Sequence, residues 1–396
     1  MKKRICLINA QIVTPSDVIN RGYIVVSGTK IINIGYMRDF ESLKDDSTID
    51  AKGRIILAGF IDQHVHGGGN ADTMDASREA FEKIAVAHTA YGTTSLCLTT
   101  IAASKDQLLK ICENLRDYLE ETTTKKHARI IGIHLEGPFM NPIMKGAHQE
   151  KYMVQFNYSE FMDYKRVLGD YLRIITVAPE TSDSINDIKK ASRNSTVISL
   201  GHTKADMEIA SIAFDNGIKC ITHFFNAMTP FHHRAPGVLG AALQNSAVMV
   251  EIIPDPNLVH PASMALLYKL IGPERIIIIT DALRAAASKT LKKFTFAERT
   301  IVVNRGSCFL EDGIIWGSKL TMNEAVRNFM HFSNCSLVEV SKMASQNSAK
   351  LLGMSNKGSI EPGKDADLVI LDEKFRTLFT MVEGNIVFSI LHNSGI

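Results

Sequence analysis

Apolar runs recur along the chain from residue 58 onward and alternate with amphipathic segments. Eight of these runs are typical of buried strands and lie near residues 60–66, 93–99, 130–136, 173–178, 196–201, 219–224, 247–253 and 275–280. The segments between them, such as Ser77 to Tyr91 and Lys105 to Glu121, are long enough for the crossovers that parallel strands require. The alternation predicts an α/β fold, a (β/α)₈ TIM barrel over residues 58–358, and not a doubly wound sheet.

Both ends of the chain have a different pattern, in which short β runs are separated by turn-forming residues. Near the C-terminus, Glu383-Gly384-Asn385 separates two such runs and predicts a hairpin turn. Neither end has enough strands to form a stable sheet by itself. We therefore expect residues 1–57 and 359–396 to form one small, discontinuous β-sandwich domain beside the barrel.

Charge and cysteine content narrow the possible partners. The 396 residues include 44 basic and 42 acidic side chains, a formal net charge of +2, which does not indicate a nucleic-acid-binding surface. No apolar segment reaches the roughly 18 residues that a membrane span needs. The six cysteines form no CxxC pair, as expected for reduced thiols packed in a core. We predict a cytoplasmic protein without nucleic-acid or membrane partners.

Six side chains that could jointly hold one or two divalent metal ions lie at or just past the ends of predicted strands. They are His64, His66, Glu136, His202, His223 and Asp281. In the first strand, the alternation of side chains places both histidines on one face. The carboxyl ends of barrel strands meet at one mouth, where catalytic groups of this fold lie. The pattern predicts a metal centre there, and its mixed imidazole and carboxylate ligands suit Zn, Fe or Mn without distinguishing among them.

Each histidine in an apolar run has a simpler interpretation as a packed core residue. One such histidine would carry little weight, but four of them together with two carboxylates at strand ends favour a metal centre. His134 shares a strand with Glu136 and is predicted to pack or to support a ligand. Four further histidines on helical or loop segments are predicted to be at the surface: His88, His127, His331 and His392.

Several motifs spread over nearly the whole chain resemble one known family. They are His64-Val65-His66-Gly67-Gly68, His134-Leu135-Glu136-Gly137-Pro138-Phe139, Lys145-Gly146-Ala147-His148, Gly201-His202-Thr203, Thr222-His223-Phe224-Phe225-Asn226-Ala227-Met228, Arg234-Ala235-Pro236-Gly237, Thr280-Asp281-Ala282 and Gly317-Ser318-Lys319-Leu320-Thr321-Met322. Together they resemble the N-acetylglucosamine-6-phosphate deacetylases of the amidohydrolase superfamily. The resemblance implies metal-dependent hydrolysis of the acetamide of N-acetyl-D-glucosamine 6-phosphate to D-glucosamine 6-phosphate and acetate, in amino-sugar catabolism.

The resemblance also implies roles for individual residues. Glu136, His202 and His223 would hold one ion, and His64 and His66, with Glu136 and Asp281, would hold a second in family members that keep both histidines. A Lewis acid lowers the pKa of water and activates a poor amide electrophile. Asp281 would act as general base and then as general acid.

By the same resemblance, the amino-sugar phosphate would contact Ala147, His148, Asn226, Ala227 and Arg234. The forked guanidinium of Arg234 matches phosphate geometry. In this family the arginine loop projects toward a neighbouring subunit, which implies a homodimer with a shared phosphate site.

The sequence departs from the family pattern at two places beside the expected sugar site. After the seventh strand the family has Asp-Gly-x-His, whereas this chain has Asp255-Pro256-Asn257-Leu258, so that Leu258 takes the place of a substrate-binding histidine. His260 could replace it only if the loop shifted. After Asp281, a glycine-rich stretch of the family is replaced by Ser288 to Ile301, which contains no glycine.

These departures leave alternatives open. The protein could act on the galactosamine epimer, as an N-acetylgalactosamine-6-phosphate deacetylase, or be a weakly active sugar-phosphate-binding regulatory homologue. A different amidohydrolase reaction, such as nucleobase deamination, is also possible on the same barrel. A neutral heterocycle would not require Arg234 and His148, which argues against that last reaction.

Overall fold

The barrel is the central feature of the computed structural model, which describes residues 4–121, 126–181, 185–296, 299–304 and 306–391. Within this part of the chain, eight parallel strands pair in sequence order, as the hydrophobic pattern predicted. The barrel strands, numbered one to eight below, are Phe60–Val65, Thr93–Thr99, Arg129–Glu136, Leu172–Val177, Val197–Leu200, Cys220–Ile221, Met249–Ile252 and Ile276–Ile278. The backbone N–H of His66 donates to the carbonyl of Ala282 at 2.9 Å and so joins the last strand to the first.

Helices surround this barrel and bury their apolar faces against it. Their bounds are Arg78–Thr89, Lys105–Glu121, Tyr158–Leu168, Ile185–Ala191, Met207–Asp215, Gly237–Gln244, Pro261–Ile271, Met322–Ser333, Leu337–Ser341 and Asn347–Leu351, with a π-helical turn at Lys342–Gln346. Short 3₁₀ turns lie at Met37–Asp39, Thr73–Asp75, Pro142–Met144, Glu150–Tyr152, Gly169–Tyr171 and Pro179–Thr181. The first barrel helix begins where the Ser77 side chain accepts a hydrogen bond from the Ala80 N–H. Among the described residues, no helix is both long and apolar enough to cross a lipid bilayer.

Strands from both chain ends form a second, eight-stranded sheet, which confirms that the two ends pair with each other. The strands are Arg4–Val13, Val18–Ser27, Lys30–Tyr36, Ser47–Asp50, Ile55–Ala58, Leu368–Leu371, Thr377–Val382 and Asn385–Ser389. Ser47–Asp50 and Ile55–Ala58 pair in parallel with different halves of Arg4–Val13, on either side of an irregularity at Asn9. The sheet therefore divides at this point, and its strands share one hydrophobic core. The exact domain boundaries stay a prediction.

The hairpin at Glu383-Gly384 is confirmed, and Gly384 is needed there for two reasons. Its φ is +75°, and a Cβ at this position would lie 1.9 Å from the carbonyl oxygen of Gly28. Nearby, the half-buried ammonium of Lys357 pairs with three carboxylates: Asp365 at 3.2 Å, Asp367 at 2.7 Å and Glu383 at 3.3 Å. These contacts tie the chain after the last helix to the terminal sheet.

A four-stranded antiparallel sheet follows the eighth barrel strand, and the hydrophobic pattern did not predict it. Its strands are Lys293–Phe296, Arg299–Asn304, Ser307–Leu310 and Ile315–Ser318. The sheet packs through Ile301, Cys308 and Leu310 on a small core that includes Ala147. It thus lies against the loop after the third barrel strand, where two of the predicted substrate-binding residues are found.

Candidate active site

Glu136 ends the third barrel strand and lies at the centre of the predicted ligands. Its Oε1 atom is 2.9 Å from Nε2 of His223 and 3.5 Å from Nε2 of both His202 and His64. Its Oε2 atom is 3.2 Å from Nε2 of His66. Asp281 Oδ1 lies 3.2 Å from Nε2 of His66 and 3.5 Å from Nε2 of His64. The structure therefore brings all six predicted ligands together, and all of them are buried.

Sharp backbone turns at the strand ends direct three of these side chains into the barrel mouth. His202, His223 and Asp281 have φ values of +48°, +31° and +49°, in the left-handed region that residues with a Cβ rarely adopt. Each such residue costs of the order of 1–3 kcal/mol, which the surrounding fold must supply. Backbone strain of this kind concentrates at functional sites.

The spacing of the donor atoms fits a metal ion. Two ligand atoms of a tetrahedral ion, each about 2.0–2.2 Å from the metal, lie about 3.3–3.6 Å apart. The distances of 3.2–3.5 Å between His66 and Asp281, His66 and Glu136, and His202 and Glu136 are close to this range. In the described part of the chain, the ion pairs of Glu136 and Asp281 are with imidazoles and not with lysine or arginine. Buried carboxylates of this kind call for a cation.

Ligand atoms within 4.8 Å of one another form three groups among the described residues. They are His64, His66 and Asp281; Glu136, His148 and His202; and His64, His134 and Glu251. The first group matches the predicted second ion position. The other two include His148 and Glu251, which the sequence did not predict as ligands.

The pKa values of the buried histidines in this cluster are shifted in different directions. Burial disfavours a charged imidazole at His66, but hydrogen bonds to Asp281 and Glu136 outweigh it and raise the pKa of His66 to about 9. Burial also opposes a charge on His64, yet the carboxylates of Glu136 and Glu251 raise the pKa of that imidazole well above its usual value. At His202, burial dominates and lowers the pKa to about 4.

Glu136 itself remains ionised. Burial acts to raise its pKa, but the charge of His64 and hydrogen bonds from His148 and His223 hold the pKa well below its ordinary value. The cluster thus contains a fixed negative charge at its centre, surrounded by imidazoles.

Hydrogen bonds on the outer ring nitrogens fix two imidazole tautomers. His202 Nδ1 lies 2.8 Å from the carbonyl oxygen of Met144, so Nδ1 carries the hydrogen and the lone pair of Nε2 faces Nε2 of His223, 3.0 Å away. The opposite holds at His148, where Nδ1 accepts from the Ala102 N–H at 3.2 Å. The hydrogen of His148 is therefore on Nε2, and this atom acts as a donor and not as a ligand.

A cavity of about 170 Å³ connects the predicted ligands with the predicted substrate-binding residues. Its wall includes Ala147, His148, Asn226, Ala227 and Leu258, together with His66, Glu136, His202, His223 and Asp281. The added antiparallel sheet contributes Ile315 and Trp316, and the Trp316 ring lies at 25° to the His148 ring with centroids 6.3 Å apart. Sequence reasoning missed both residues because it did not predict that sheet.

Arg234 is not brought to this cavity by its own chain. It lies on an exposed loop, where Nη1 is 3.0 Å from Nε2 of His233. His260 is also exposed, and its Nδ1 caps the helix Pro261–Ile271 by accepting from the Ala262 N–H at 3.2 Å. His260 therefore does not replace the histidine that is missing at Leu258. A role of Arg234 across a subunit interface stays a prediction.

Two of the surface predictions for histidines were wrong, because burial there depends on tertiary packing. His88 is fully buried, and its Nε2 donates to the carbonyl of Gly67 at 2.9 Å. This contact supports the hairpin formed by Gly67–Gly68 and Ala71–Asp72, directly after the paired histidines. His127 is also buried, whereas His331 is exposed as predicted and His392 lies outside the described residues.

His134 packs beside the cluster, as predicted. Its ring centroid is 4.6 Å from that of His64, and its Nε2 is 2.7 Å from the Thr176 hydroxyl. Sequence reasoning missed Glu251, a fully buried carboxylate within the seventh barrel strand that lies 3.1 Å from Nδ1 of His64. A lone carboxylate inside an apolar strand was the available signal.

Comparisons with known proteins agree with this geometry. The profile of the Amidohydrolase family matches residues 55–387. The N-acetylglucosamine-6-phosphate deacetylase of Bacillus subtilis is 35% identical over 390 residues, 98% of each chain. The N-acetylgalactosamine-6-phosphate deacetylase of Escherichia coli O157:H7 is 30% identical over 86% of this chain and 89% of its own.

A solved structure shows the same likeness over the whole fold. The crystal structure of N-acetylglucosamine-6-phosphate deacetylase from Pasteurella multocida superposes with a TM-score of 0.90 at 30% identity, covering 97% of this chain and 99% of its own. With a family profile over most of the chain and a relative at 35% identity over nearly all of it, the chain belongs to the amidohydrolase family and, within it, to the N-acetylglucosamine-6-phosphate deacetylases.

Proposed function

We propose that this protein hydrolyses the acetamide of N-acetyl-D-glucosamine 6-phosphate, giving D-glucosamine 6-phosphate and acetate, with one or two divalent transition-metal ions. The observation that carries this proposal is the single cavity that joins the ring of imidazoles and carboxylates around Glu136 to His148, Asn226 and Ala227. The names of the relatives from Bacillus subtilis and Pasteurella multocida support the substrate.

The distances around Glu136 support the proposed ligand positions. Glu136, His202 and His223 would hold one ion, because their donor atoms lie within 2.9–3.5 Å of one another. His64, His66 and Asp281, with Glu136, would hold a second. A bound Zn, Fe or Mn ion supplies Lewis acidity, which polarises an amide carbonyl and lowers the pKa of water.

Asp281 is the proposed proton carrier of the reaction. Its carboxylate takes one proton from water as the oxygen adds to the acetamide carbon, and it returns this proton to the nitrogen as the C–N bond breaks. The products are then acetic acid and the amine, and transfer of the remaining carboxyl proton leaves acetate and the ammonium form of the amino sugar. The left-handed backbone at Asp281 and the bond from its N–H to the His64 carbonyl at 3.0 Å hold the carboxylate beside the ligands.

His148 is suited to bind an oxygen atom of the substrate. Its Nε2 carries the hydrogen and lies 3.4 Å from Glu136 Oε2, at the wall of the cavity. A donor fixed at this place can meet the acetamide carbonyl or a sugar hydroxyl without first reorienting.

The phosphate would be bound by Arg234 of a neighbouring subunit in a homodimer. Exposed aliphatic side chains on three successive outer helices support self-association: Ile209, Ile212, Leu243, Leu266 and Leu270. Their helices follow barrel strands five, six and seven, and Arg234 lies in the loop between strand six and its helix. Size-exclusion chromatography with light scattering tests the dimer, and a fully active monomer would remove the shared phosphate site.

We also propose a cytoplasmic location. All six cysteines are buried as free thiols, and burial raises the pKa of Cys97 and of Cys308 to about 12, so neither thiol is readily ionised. Such thiols persist in a reducing compartment.

Acetate release from N-acetyl-D-glucosamine 6-phosphate, measured with the purified protein before and after chelator treatment and metal readdition, tests the function. We expect activity that chelation removes and a divalent ion restores. Binding of the sugar phosphate without turnover under any metal condition would favour the regulatory alternative. Trp316 is the only tryptophan, so its fluorescence reports directly whether product enters this cavity.

A second candidate substrate is the galactosamine epimer. Two observations favour it: an apolar Leu258 lines the cavity where the family has a histidine, and the Escherichia coli relative carries the galactosamine name. The same assay with both epimers decides between them by the ratio of kcat/KM.

A further inference from the structure

The carboxylate of Glu251 is a buried charge that the proposed mechanism does not use. It lies within the seventh barrel strand and is fully shielded from solvent. Three N–H groups converge on it: Gln63 Nε2 lies 2.7 Å from Oε1, while His64 Nδ1 and the backbone nitrogen of His223 lie 3.1 and 3.2 Å from Oε2. Three hydrogen-bond donors stabilise this buried carboxylate, so it needs no bound cation to remain charged inside the barrel.

The first consequence concerns the orientation of His64. Because an ionised carboxylate can only accept, Nδ1 of His64 must carry the hydrogen. When the ring is neutral, as a metal ligand must be, its Nε2 lone pair points to the opposite side, where Asp281 Oδ1 and Glu136 Oε1 both lie at 3.5 Å. Carboxylate–histidine pairs of this kind fix the ring of a metal ligand and increase its basicity.

The second consequence concerns His223, which belongs to the other proposed ion position. The same Oε2 atom accepts from its backbone N–H, and the Phe224 N–H donates to the Glu251 carbonyl at 2.8 Å. Both bonds hold the chain where His223 has the strained φ of +31°. The carboxylate of Glu251 therefore contacts one proposed ligand of each ion position: His64 on the first barrel strand and His223 at the end of the sixth.

We propose that Glu251 is a positioning residue that couples the two halves of the metal centre, by fixing the tautomer of His64 and the backbone of His223. This inference rests on the proposed metal-dependent function. Its strongest effect falls on the position formed by His64, His66 and Asp281, since only there does Glu251 contact the ligand ring itself.

An alternative is that Glu251, His64 and His134 hold an ion of their own, since their ligand atoms lie close together. The three hydrogen bonds argue against it. Gln63 Nε2 and the His223 N–H direct the positive ends of their dipoles at the carboxylate, which is the environment of an anion and disfavours a cation.

Metal titration of chelator-treated protein tests the proposal, with Zn²⁺ competing against a chromophoric chelator. Glu251→Gln keeps the shape and can keep both bonds of Oε2 through its amide oxygen but removes the charge, and Glu251→Met removes the bonds as well. Asp255→Asn is the matched control, because Asp255 is another buried carboxylate near this strand whose partners, Asn257 and Ser307, are not proposed ligands. His66→Gln identifies which titration step belongs to the His64 and His66 position.

We expect the wild type to bind two ions, and we expect Asp255→Asn to bind each of them with the affinity of the wild type. Glu251→Gln should weaken the step assigned by His66→Gln by about 10-fold, and Glu251→Met by about 100-fold or to complete loss, the range found for partners of metal-binding histidines. Thermal unfolding of the metal-free proteins checks that Glu251→Gln is as well folded as Asp255→Asn.

Four results would overturn the inference. If both Glu251 variants bind two ions with the affinities of the wild type, the inference is overturned and the proposed function is not. The same holds if the wild type binds one ion and both Glu251 variants bind that ion equally well. A third Zn²⁺ equivalent in the wild type, lost in Glu251→Gln, would replace it by a separate ion position. A wild type that binds no ion would instead overturn the proposed function together with the inference.

Discussion

Metal binding at the position formed by His64, His66 and Asp281 should depend steeply on pH. In the metal-free protein the pKa of His66 is raised to about 9, because hydrogen bonds to Asp281 and Glu136 outweigh burial. At pH 7 only about one molecule in 100 then has an unprotonated His66 imidazole, and displacing this proton costs about 2.7 kcal/mol. Below about pH 9 the proton competes with the metal ion for the His66 imidazole. The apparent metal affinity should therefore rise as pH rises.

The expected slope is at least tenfold in affinity per pH unit between pH 6.5 and 8.5. His64, whose pKa is also raised well above its usual value, adds to this slope. His202 should not contribute, because burial lowers its pKa to about 4 and leaves it unprotonated throughout this range. Of the two imidazoles beside Glu136 at the other ion position, only His223 has a raised pKa, because the hydrogen bond to Glu136 outweighs burial, so that ion should respond less to pH.

Isothermal titration calorimetry in two buffers of different ionisation enthalpy measures the protons released per ion, and chelator competition at several pH values measures the slope. His66→Gln is the control, because it removes one titrating group and should lower the proton release by about one. An affinity that stays within twofold from pH 6.5 to 8.5, with no proton released, would refute the reasoning.

Three further predictions concern single substitutions. Asp281→Asn should lower kcat by about 100-fold or more with an unchanged circular dichroism spectrum, because it removes the proton carrier; near-normal turnover would place the base elsewhere. Arg234→Ala should raise KM for the phosphorylated substrate by about 10- to 150-fold, from roughly 1.5–3 kcal/mol for a charge-assisted contact. Arg234→Lys should restore part of this, and an unchanged preference over the unphosphorylated sugar would exclude Arg234 from the site. Lys357→Met should destabilise the protein by roughly 3 kcal/mol in thermal unfolding, because the buried carboxylate of Asp367 loses its cation, while Asp365 and Glu383 keep Lys30 and Arg129. Exposed Lys350→Met is the control, and equal midpoints for the two variants would contradict this expectation.

The barrel could be predicted because each of its strands is a short apolar run that can be recognised from neighbouring residues alone. Runs such as Ile276–Ile278 are apolar on both faces, as strands buried between a barrel interior and a layer of helices must be. The six predicted ligands follow from the same reasoning, since the fold places every strand end at one mouth. Position along the strand was sufficient to predict that these side chains meet, and their binding of metal stays a prediction.

The added sheet after the eighth barrel strand could not be predicted in this way. Strands such as Arg299–Asn304 are short and only partly buried, and they pair with neighbours whose register depends on the turn between them. Trp316 reaches the cavity only because this sheet folds back over the loop that carries Ala147. Long-range packing of the same kind buries His88, whose helix alone suggests a surface position.

Glu251 shows a different limit of sequence reasoning. Its partners Gln63, His64 and His223 come from two distant segments of the chain, so its purpose is visible only in three dimensions. The carboxylate could have been recognised as unusual from the apolar residues around it, but not as a support for a ligand.

The terminal sheet has a consequence for how the chain reaches its native state. Ile55–Ala58 pairs on one side with Arg4–Val13 and on the other with Leu368–Leu371, which the ribosome adds only after the whole barrel. Until then, Ile56 and Leu57 form part of an open strand edge that is available to other nascent chains. Folding of this protein therefore ends with a long-range closure step, and we expect its yield at high expression temperature to be limited by aggregation before residue 371 is in place.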